Sequence, residues 1–271
     1  MEPTAALGRS ISINDIEMYY VVRGEGEPLF LLHGGGGIGA NWDLVFPSPP
    51  DGYELVVPDL RGHGRTTNPS GRFTFRQIAH DVFALLDRLG IQRFKAIGMS
   101  LGAKTLLHVA TQQPGRVDAM VLVSGTPYFP ESARSIMATM TPETRTEAEW
   151  KQMRQWHTQG DEQIIAIWNQ MRSLKDSYDD MNFTKPLLST ITARTLIVHG
   201  DRDPLYPPHL AMEMYDAIPN SFLWIIPNGG HGPIFGEFQG AGATTGDFAK
   251  TALAFLRNEW KTEQKPPKIT E

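Results

Sequence analysis

The sequence predicts an α/β fold, with a mostly parallel sheet of about eight strands, helices on both faces and a helical segment inserted late in the chain. Three observations carry this. Short apolar runs alternate with stretches of helical spacing, the pattern of strand–helix–strand crossovers. One junction between a run and a helix carries Gly98-Met99-Ser100-Leu101-Gly102, a serine on a sharp turn. Between residues 125 and 190 the alternation stops, and prolines with helical spacing replace it.

Taken in order, residues 10–24 read as a hairpin turning at Asn14-Asp15. Pro28-Leu29-Phe30-Leu31-Leu32 is an unbroken apolar run, as expected of a strand buried on both faces, and residues 53–58 form a similar one. From 75 to 89 the apolar positions Phe75, Ile78, Val82, Leu85, Leu86 and Leu89 fall at helical spacing, and Gly90 ends the helix. A strand at 93–97 leads to Ser100, and residues 103–110 read as a buried helix. Further strands follow at 119–123, 195–198 and 222–226, and a helix over 248–260 closes the fold. The polar tail at 261–268 is expected to be disordered.

The interrupted region defines the expected organisation: residues 1–127 and 188–271 as one core domain, and 128–187 as a helical cap. Thr141-Pro142-Glu143 has the signature of a helix start: a cap hydroxyl, a proline at the first position and an early acid. Trp150, Met153, Trp156 and His157 follow, then Ile164, Ile165, Ile167, Trp168 and Met171. These aromatics either pack the cap together or roof a pocket, and the pattern leaves both open.

Composition narrows the function classes. With no cysteine, disulfides, thiolate metal sites and cysteine nucleophiles are excluded. A net charge of −5 without a basic run points away from nucleic acid and anionic membranes. No apolar run approaches the ~20 residues of a membrane span, and no signal-peptide pattern opens the chain, so a soluble cytoplasmic enzyme is expected.

A serine hydroxyl is a poor nucleophile until a base takes its proton. Of eight histidines, His231 is the base expected from this sequence. It follows the last strand in Pro227-Asn228-Gly229-Gly230-His231-Gly232-Pro233, where flanking glycines let the loop project the ring over the sheet's C-terminal edge. His80, His108 and His157 lie in helical stretches, His209 opens a helix, His63 sits in a charged loop that pins backbone, and His199 ends a strand as a structural group. The acid belongs between serine and histidine, and Gly200-Asp201-Arg202-Asp203-Pro204 offers two. Asp203 is favoured because it lies further out in the loop, whereas Asp201 is placed to hydrogen-bond its own turn. His33-Gly34-Gly35-Gly36-Gly37 lacks the spacing of a phosphate loop. Its bare amides suit an oxyanion hole instead, assigned to the N–H groups of Gly35 and Leu101. Met99, Trp156 and Trp168 are the expected pocket residues.

With these motifs in hand, the chain resembles the α/β-hydrolase fold family in its single-cap, esterase-like branch. HGGGG at 33–37, DLRGHGRT at 59–66, GMSLG at 98–102, HGDRDPLYP at 199–207 and GGHGP at 229–233 run in family order over most of the chain. The resemblance implies a nucleophile at Ser100, an acid at Asp203, a base at His231, and no cofactor or metal. It implies a small-molecule ester or lactone substrate, with carboxylesterase the leading activity and lactonase or C–C bond hydrolase the alternatives. A ligand receptor retaining the same triad is the reading from another class. The glycine loop is similar to that of C–C hydrolases of aromatic ring cleavage, but those follow their histidine with tryptophan where this chain has Gly232-Pro233. The sequence carries no signal for oligomeric state.

Overall fold

The computed structural model describes residues 8–235 and 244–260. Strands β1 (Arg9–Ile13) and β2 (Ile16–Gly24) form the predicted hairpin, with Asn14 in the left-handed region at φ 47°. Then come β3 (Glu27–Leu32), β4 (Tyr53–Pro58), α1 (Phe75–Arg88), β5 (Phe94–Met99), α2 (Leu101–Gln112) and β6 (Val117–Val123). The inserted segment supplies α3 (Glu131–Ala138), α4 (Glu147–Trp156), α5 (Asp161–Ser173) and the short α6 (Lys185–Leu188). Strand β7 (Arg194–Gly200), α7 (Pro208–Ala217), β8 (Ser221–Ile226) and α8 (Thr245–Leu256) complete the described chain.

The eight strands form one sheet in the order β1-β2-β4-β3-β5-β6-β7-β8. Pairings from β4 to β8 are parallel, and β2 joins β4 antiparallel. Both faces are covered, which is why residues 28–32 of β3 and 119–123 of β6 read as unbroken apolar runs. One core layer packs α1 and α2, with Phe30, Leu32, Ile78, Val82 and Leu106, on one face of the sheet. The other packs α8 through Phe248, Ala252 and Phe255 against Leu31, Val121 and Val198. The parallel strands therefore end together, at the edge where ligand sites of such sheets lie.

Some local expectations differ from the structure. The Thr141-Pro142-Glu143 start yields a single 3₁₀ turn over Pro142–Thr144, because Arg145 then turns extended. The α-helix begins later, at α4, where Thr146 and Glu149 exchange backbone and side-chain hydrogen bonds in a capping box. The closing helix ends at Leu256, four residues short of the predicted Trp260. Asn258 is left-handed at φ 60°, and Trp260 folds back onto the rings of Phe222 and Phe255. The predicted tail at 261–268 lies outside the described residues.

The inserted segment leaves and returns at one place: Tyr128 bridges Asn182, and the Phe183 N–H donates to Pro127 O. It carries a small core of its own, Met153, Ile164, Ile167 and Trp168, against which Trp150, Trp156 and Met171 rest. Among the described residues no helix is long and apolar enough to cross a membrane.

Candidate active site

Strand β5 runs into Ser100, which sits at φ 50° and ψ −101° before α2 begins. A non-glycine residue there is strained by about 1–3 kcal/mol, and neighbouring close contacts hold it in place. A Cβ on Gly98 would come 2.6 Å from the Gly102 carbonyl carbon, and one on Gly102 would come 2.2 Å from Leu32 O. Glycine is required at both positions so that helix, turn and strand can touch. The Ser100 N–H is anchored on Val123 O at 2.8 Å.

The loops after β7 and β8 bring the other two groups to that turn. His231 Nε2 lies 2.9 Å from Ser100 Oγ, and His231 Nδ1 lies 2.8 Å from Asp203 Oδ2. Asp203 also performs the turn duty expected of Asp201. Its Oδ1 accepts the N–H groups of Leu205 at 2.8 Å and Tyr206 at 3.1 Å. Among the described residues Asp201 Oδ1 has no hydrogen-bond partner and lies 3.9 Å from Arg202 Nε. The reason is direction: the loop points Asp203 inward, 7% exposed, to the centre of the turn it closes. Burial works to raise the Asp203 carboxyl, but the His231 hydrogen bond and charge and the Tyr206 amide outweigh it, so it lies below the ordinary range. Buried His199 braces the same loop by donating from Nε2 to Tyr206 O at 2.7 Å, the structural part expected of it.

The glycine loop after β3 is held by histidines. Gly36 N–H donates to His63 Nε2 at 3.1 Å, Gly37 N–H to Gly34 O, and Gly102 N–H to His33 O. Among the described residues this leaves the N–H groups of Gly35 and Leu101 without an acceptor, on the wall of the cavity that Ser100 lines. His33 Nε2 accepts from Leu60 N–H, and His157 Nδ1 accepts from Gly64 N–H while its Nε2 reaches Gly36 O. His157 is therefore no helix-face residue. It ends α4 in an extended conformation and ties the inserted segment to the glycine loop. Burial lowers His33 and His157 to about 4, and carries His63 well below its ordinary value. All three stay neutral, as acceptors of N–H bonds must. In the charged loop, Arg61 is fully buried and bidentate to Asp81, with a further bond to Asp15. His80 meets Gln112, His108 donates to Asp180 O, and His209 is exposed.

Two lobes of open space adjoin beside Ser100, which itself lines the smaller one. A cavity of about 200 Å³ runs behind the serine, between Phe73, Phe75, Met137, Met140 and Tyr206. A larger one of about 440 Å³ lies under the inserted segment, lined by Trp156, Trp168, Met153 and Phe235. Gly34, Gly35, Met99, Met171 and His231 border both. Of the residues expected at the pocket, Met99 borders both lobes, and Trp156 and Trp168 line the larger. Trp150 lines neither lobe: it rests on the insert's own core, its Nε1 toward Pro142 O. Trp168 serves both alternatives, as part of that core and of the cavity wall.

One residue went unrecognised in the sequence. Lys104, a turn along α2 from Ser100, is 2% exposed and lines the smaller lobe. Its Nζ donates to Tyr206 OH at 2.9 Å and lies 3.4 Å from Ser100 Oγ. The available signal was a single charge inside a run otherwise read as buried helix. Among the described residues no cluster of three or more His, Cys, Asp or Glu could hold a metal.

The chain is similar to known proteins. The sequence profile of the alpha/beta hydrolase fold matches residues 27–148 and 142–238. The 2-hydroxy-6-oxo-6-(2'-aminophenyl)hexa-2,4-dienoic acid hydrolase of Metapseudomonas resinovorans is 25% identical over 280 residues, 93% of this chain and 92% of that one. A meta-cleavage product hydrolase (CumD) superposes with TM-score 0.75 at 22% identity, covering 93% of this chain and 98% of the other. A thermophilic esterase from Thermogutta terrifontis superposes at 0.72 and 20%, covering 94% and 99%. The profile spans the Ser100 turn, the Asp203 loop and the His231 loop alike, and the chain belongs to the alpha/beta hydrolase fold family.

Proposed function

We propose that this protein is a cofactor-independent serine hydrolase that cleaves small to medium carboxylic esters through an acyl-enzyme. The observation that carries the reading is the hydrogen-bonded line Ser100–His231–Asp203 opening into a two-lobed, mostly apolar cavity. Ser100 Oγ attacks the ester carbonyl and passes its proton to His231 Nε2. The oxyanion accepts from the N–H groups of Gly35 and Leu101, each worth on the order of 100-fold in rate. His231 then protonates the leaving alcohol. A water gives its proton to His231 and attacks the acyl carbon, releasing the acid and restoring Ser100. Asp203 holds the imidazole in the tautomer with its proton on Nδ1 and stabilises the imidazolium.

The same groups serve a lactone or an activated C–C bond, and one observation favours the latter: the extent of the match to the dienoic acid hydrolase. Gly232-Pro233 after the histidine speaks against it. The deciding experiment is a panel of activated esters of graded acyl length, lactones and vinylogous diketones, with Ser100→Ala as the blank. Ester turnover abolished in Ser100→Ala supports the leading reading. Cleavage of the diketone alone would establish the second. A stoichiometric burst without steady-state turnover would make the protein a receptor.

A further inference from the structure

Lys104 plays no part in the acyl transfer just described, yet it stands at the reacting centre. Its ammonium is enclosed by three rings, with Nζ 4.8 Å from the Tyr206 centroid, 5.4 Å from Phe75 and 5.5 Å from Phe129. Such faces attract a cation. A buried ammonium normally also needs a counter-ion. Among the described residues no carboxylate lies within salt-bridge distance of it. Asp203, the nearby acid, is committed to His231 and to the Leu205 and Tyr206 amides. Lysine offers three donors, and two are directed at Tyr206 OH and Ser100 Oγ. Away from the Ser100–His231 edge and the glycine loop the lobe is apolar, so packing alone would be met more cheaply by methionine, which the chain already uses there at Met137 and Met140.

We propose that Lys104 binds a carboxylate carried by the substrate, so that the preferred ester is a short one bearing an ionised acid at the end that enters the smaller lobe. The inference rests on the hydrolase reading and names its substrate class. A single delocalised negative charge suits a site with one cationic donor. A phosphate dianion calls for several, and the lobe has no arginine. The 3.4 Å separation of Nζ from Ser100 Oγ keeps the carboxylate close to the scissile carbonyl. Burial lowers free Lys104 to about 7, against a raising influence from Asp203. The groups around it are Ser100, Tyr206, Asp203, His231 and, across the Phe129 ring, Arg134. An anion in the lobe favours the ammonium, so above neutral pH binding draws a proton onto Lys104.

The test compares ethyl hydrogen succinate with ethyl butanoate, and acetoxyacetate with ethyl acetate, to cover a carboxylate on either side of the ester. In the intact enzyme the charged member of one pair should have a kcat/KM about tenfold or more above its neutral partner, the scale of a charge-assisted hydrogen bond. In Lys104→Met and Lys104→Gln that ratio should collapse toward one. Calorimetry on Ser100→Ala at pH 8, in buffers of different ionisation heat, should show proton uptake with the charged ester. The same measurement on Ser100→Ala carrying Lys104→Gln should show none. Equal losses on charged and neutral esters, or no preference in the intact enzyme, would overturn the proposal and leave Lys104 a packing element. Lys104-dependent proton uptake in Ser100→Ala, with no ester turnover by the intact protein, would sink the ester-hydrolase reading and leave the carboxylate site at Lys104 standing.

Discussion

The sharpest perturbation of the site is Asp203→Asn, because the structure dictates how the new amide must sit. One carboxylate oxygen receives two backbone N–H groups, from Leu205 at 2.8 Å and Tyr206 at 3.1 Å. The other faces His231 Nδ1 at 2.8 Å. An asparagine offers one acceptor and one donor group. Placing its NH₂ against the two amides would leave three donors facing one another in a buried turn, at about 1–3 kcal/mol for each unsatisfied group. The carbonyl therefore takes the amide side and the NH₂ turns to His231. Nδ1 must then accept, so the ring proton moves to Nε2, which faces Ser100 Oγ. A protonated Nε2 cannot take the serine's proton. The expected fall in kcat is on the order of 10⁴, or about 5 kcal/mol of barrier, with KM little changed. Steady-state kinetics on an activated ester would measure it, with circular dichroism confirming the fold. Asp201→Asn is the control, because Asp201 Oδ1 has no hydrogen-bond partner among the described residues, and it should stay within tenfold of the parent. A drop below tenfold for Asp203→Asn in a folded protein, or a larger drop for Asp201→Asn, would refute the tautomer argument.

Three further outcomes are expected. Trp156→Ala and Trp168→Ala should each move the acyl-length optimum of kcat/KM, since both rings line the larger lobe and each accommodated methylene is worth up to ~0.8 kcal/mol; parallel profiles differing only in height would mean that neither ring meets substrate. Trp168→Ala should also cost about 3–5 kcal/mol in urea unfolding, because Trp168 belongs to the insert's core, whereas half-buried Trp156 should cost less. The protein should also lose stability in mild acid. His33 and His157 titrate near 4 when folded against 6.5 unfolded, so the unfolded chain binds more protons between those values. Stability is fully present above about 6.5 and falls as pH drops toward 4, by on the order of 3 kcal/mol for each histidine. Urea melts from pH 7.5 to 4.5 would show it, His157→Gln should flatten the slope, and a flat profile in the parent protein would refute the account.

Legibility in the sequence follows the range of the interaction. The strands β3 and β6 were readable because burial on both faces leaves an apolar run that needs no knowledge of its neighbours. Ser100 was readable because a strained turn between strand and helix demands glycines at fixed offsets. Where local signals compete, the reading slipped: Thr141-Pro142-Glu143 and Thr146 with Glu149 both look like helix starts, and only the second continues. Asp201 and Asp203 were both candidate acids in one loop, and which one faces inward depends on where the loop docks.

The sequence by itself determined the α/β class and the order of the elements, and it singled out Ser100, His231 and one of two aspartates, with Asp203 favoured, as the groups to bring together. Turn chemistry and hydrophobic periodicity are local, and each is complete within a few residues. The tertiary structure alone decided that His157 reaches Gly64 and Gly36, 93 and 121 positions away, so that the insert braces the glycine loop. It alone decided that the space beside Ser100 divides into two lobes, and that Lys104 points into one of them without a carboxylate partner among the described residues. Those contacts join segments far apart in the chain, and their distances are set by how helices and loops pack over the sheet rather than by any pattern along it.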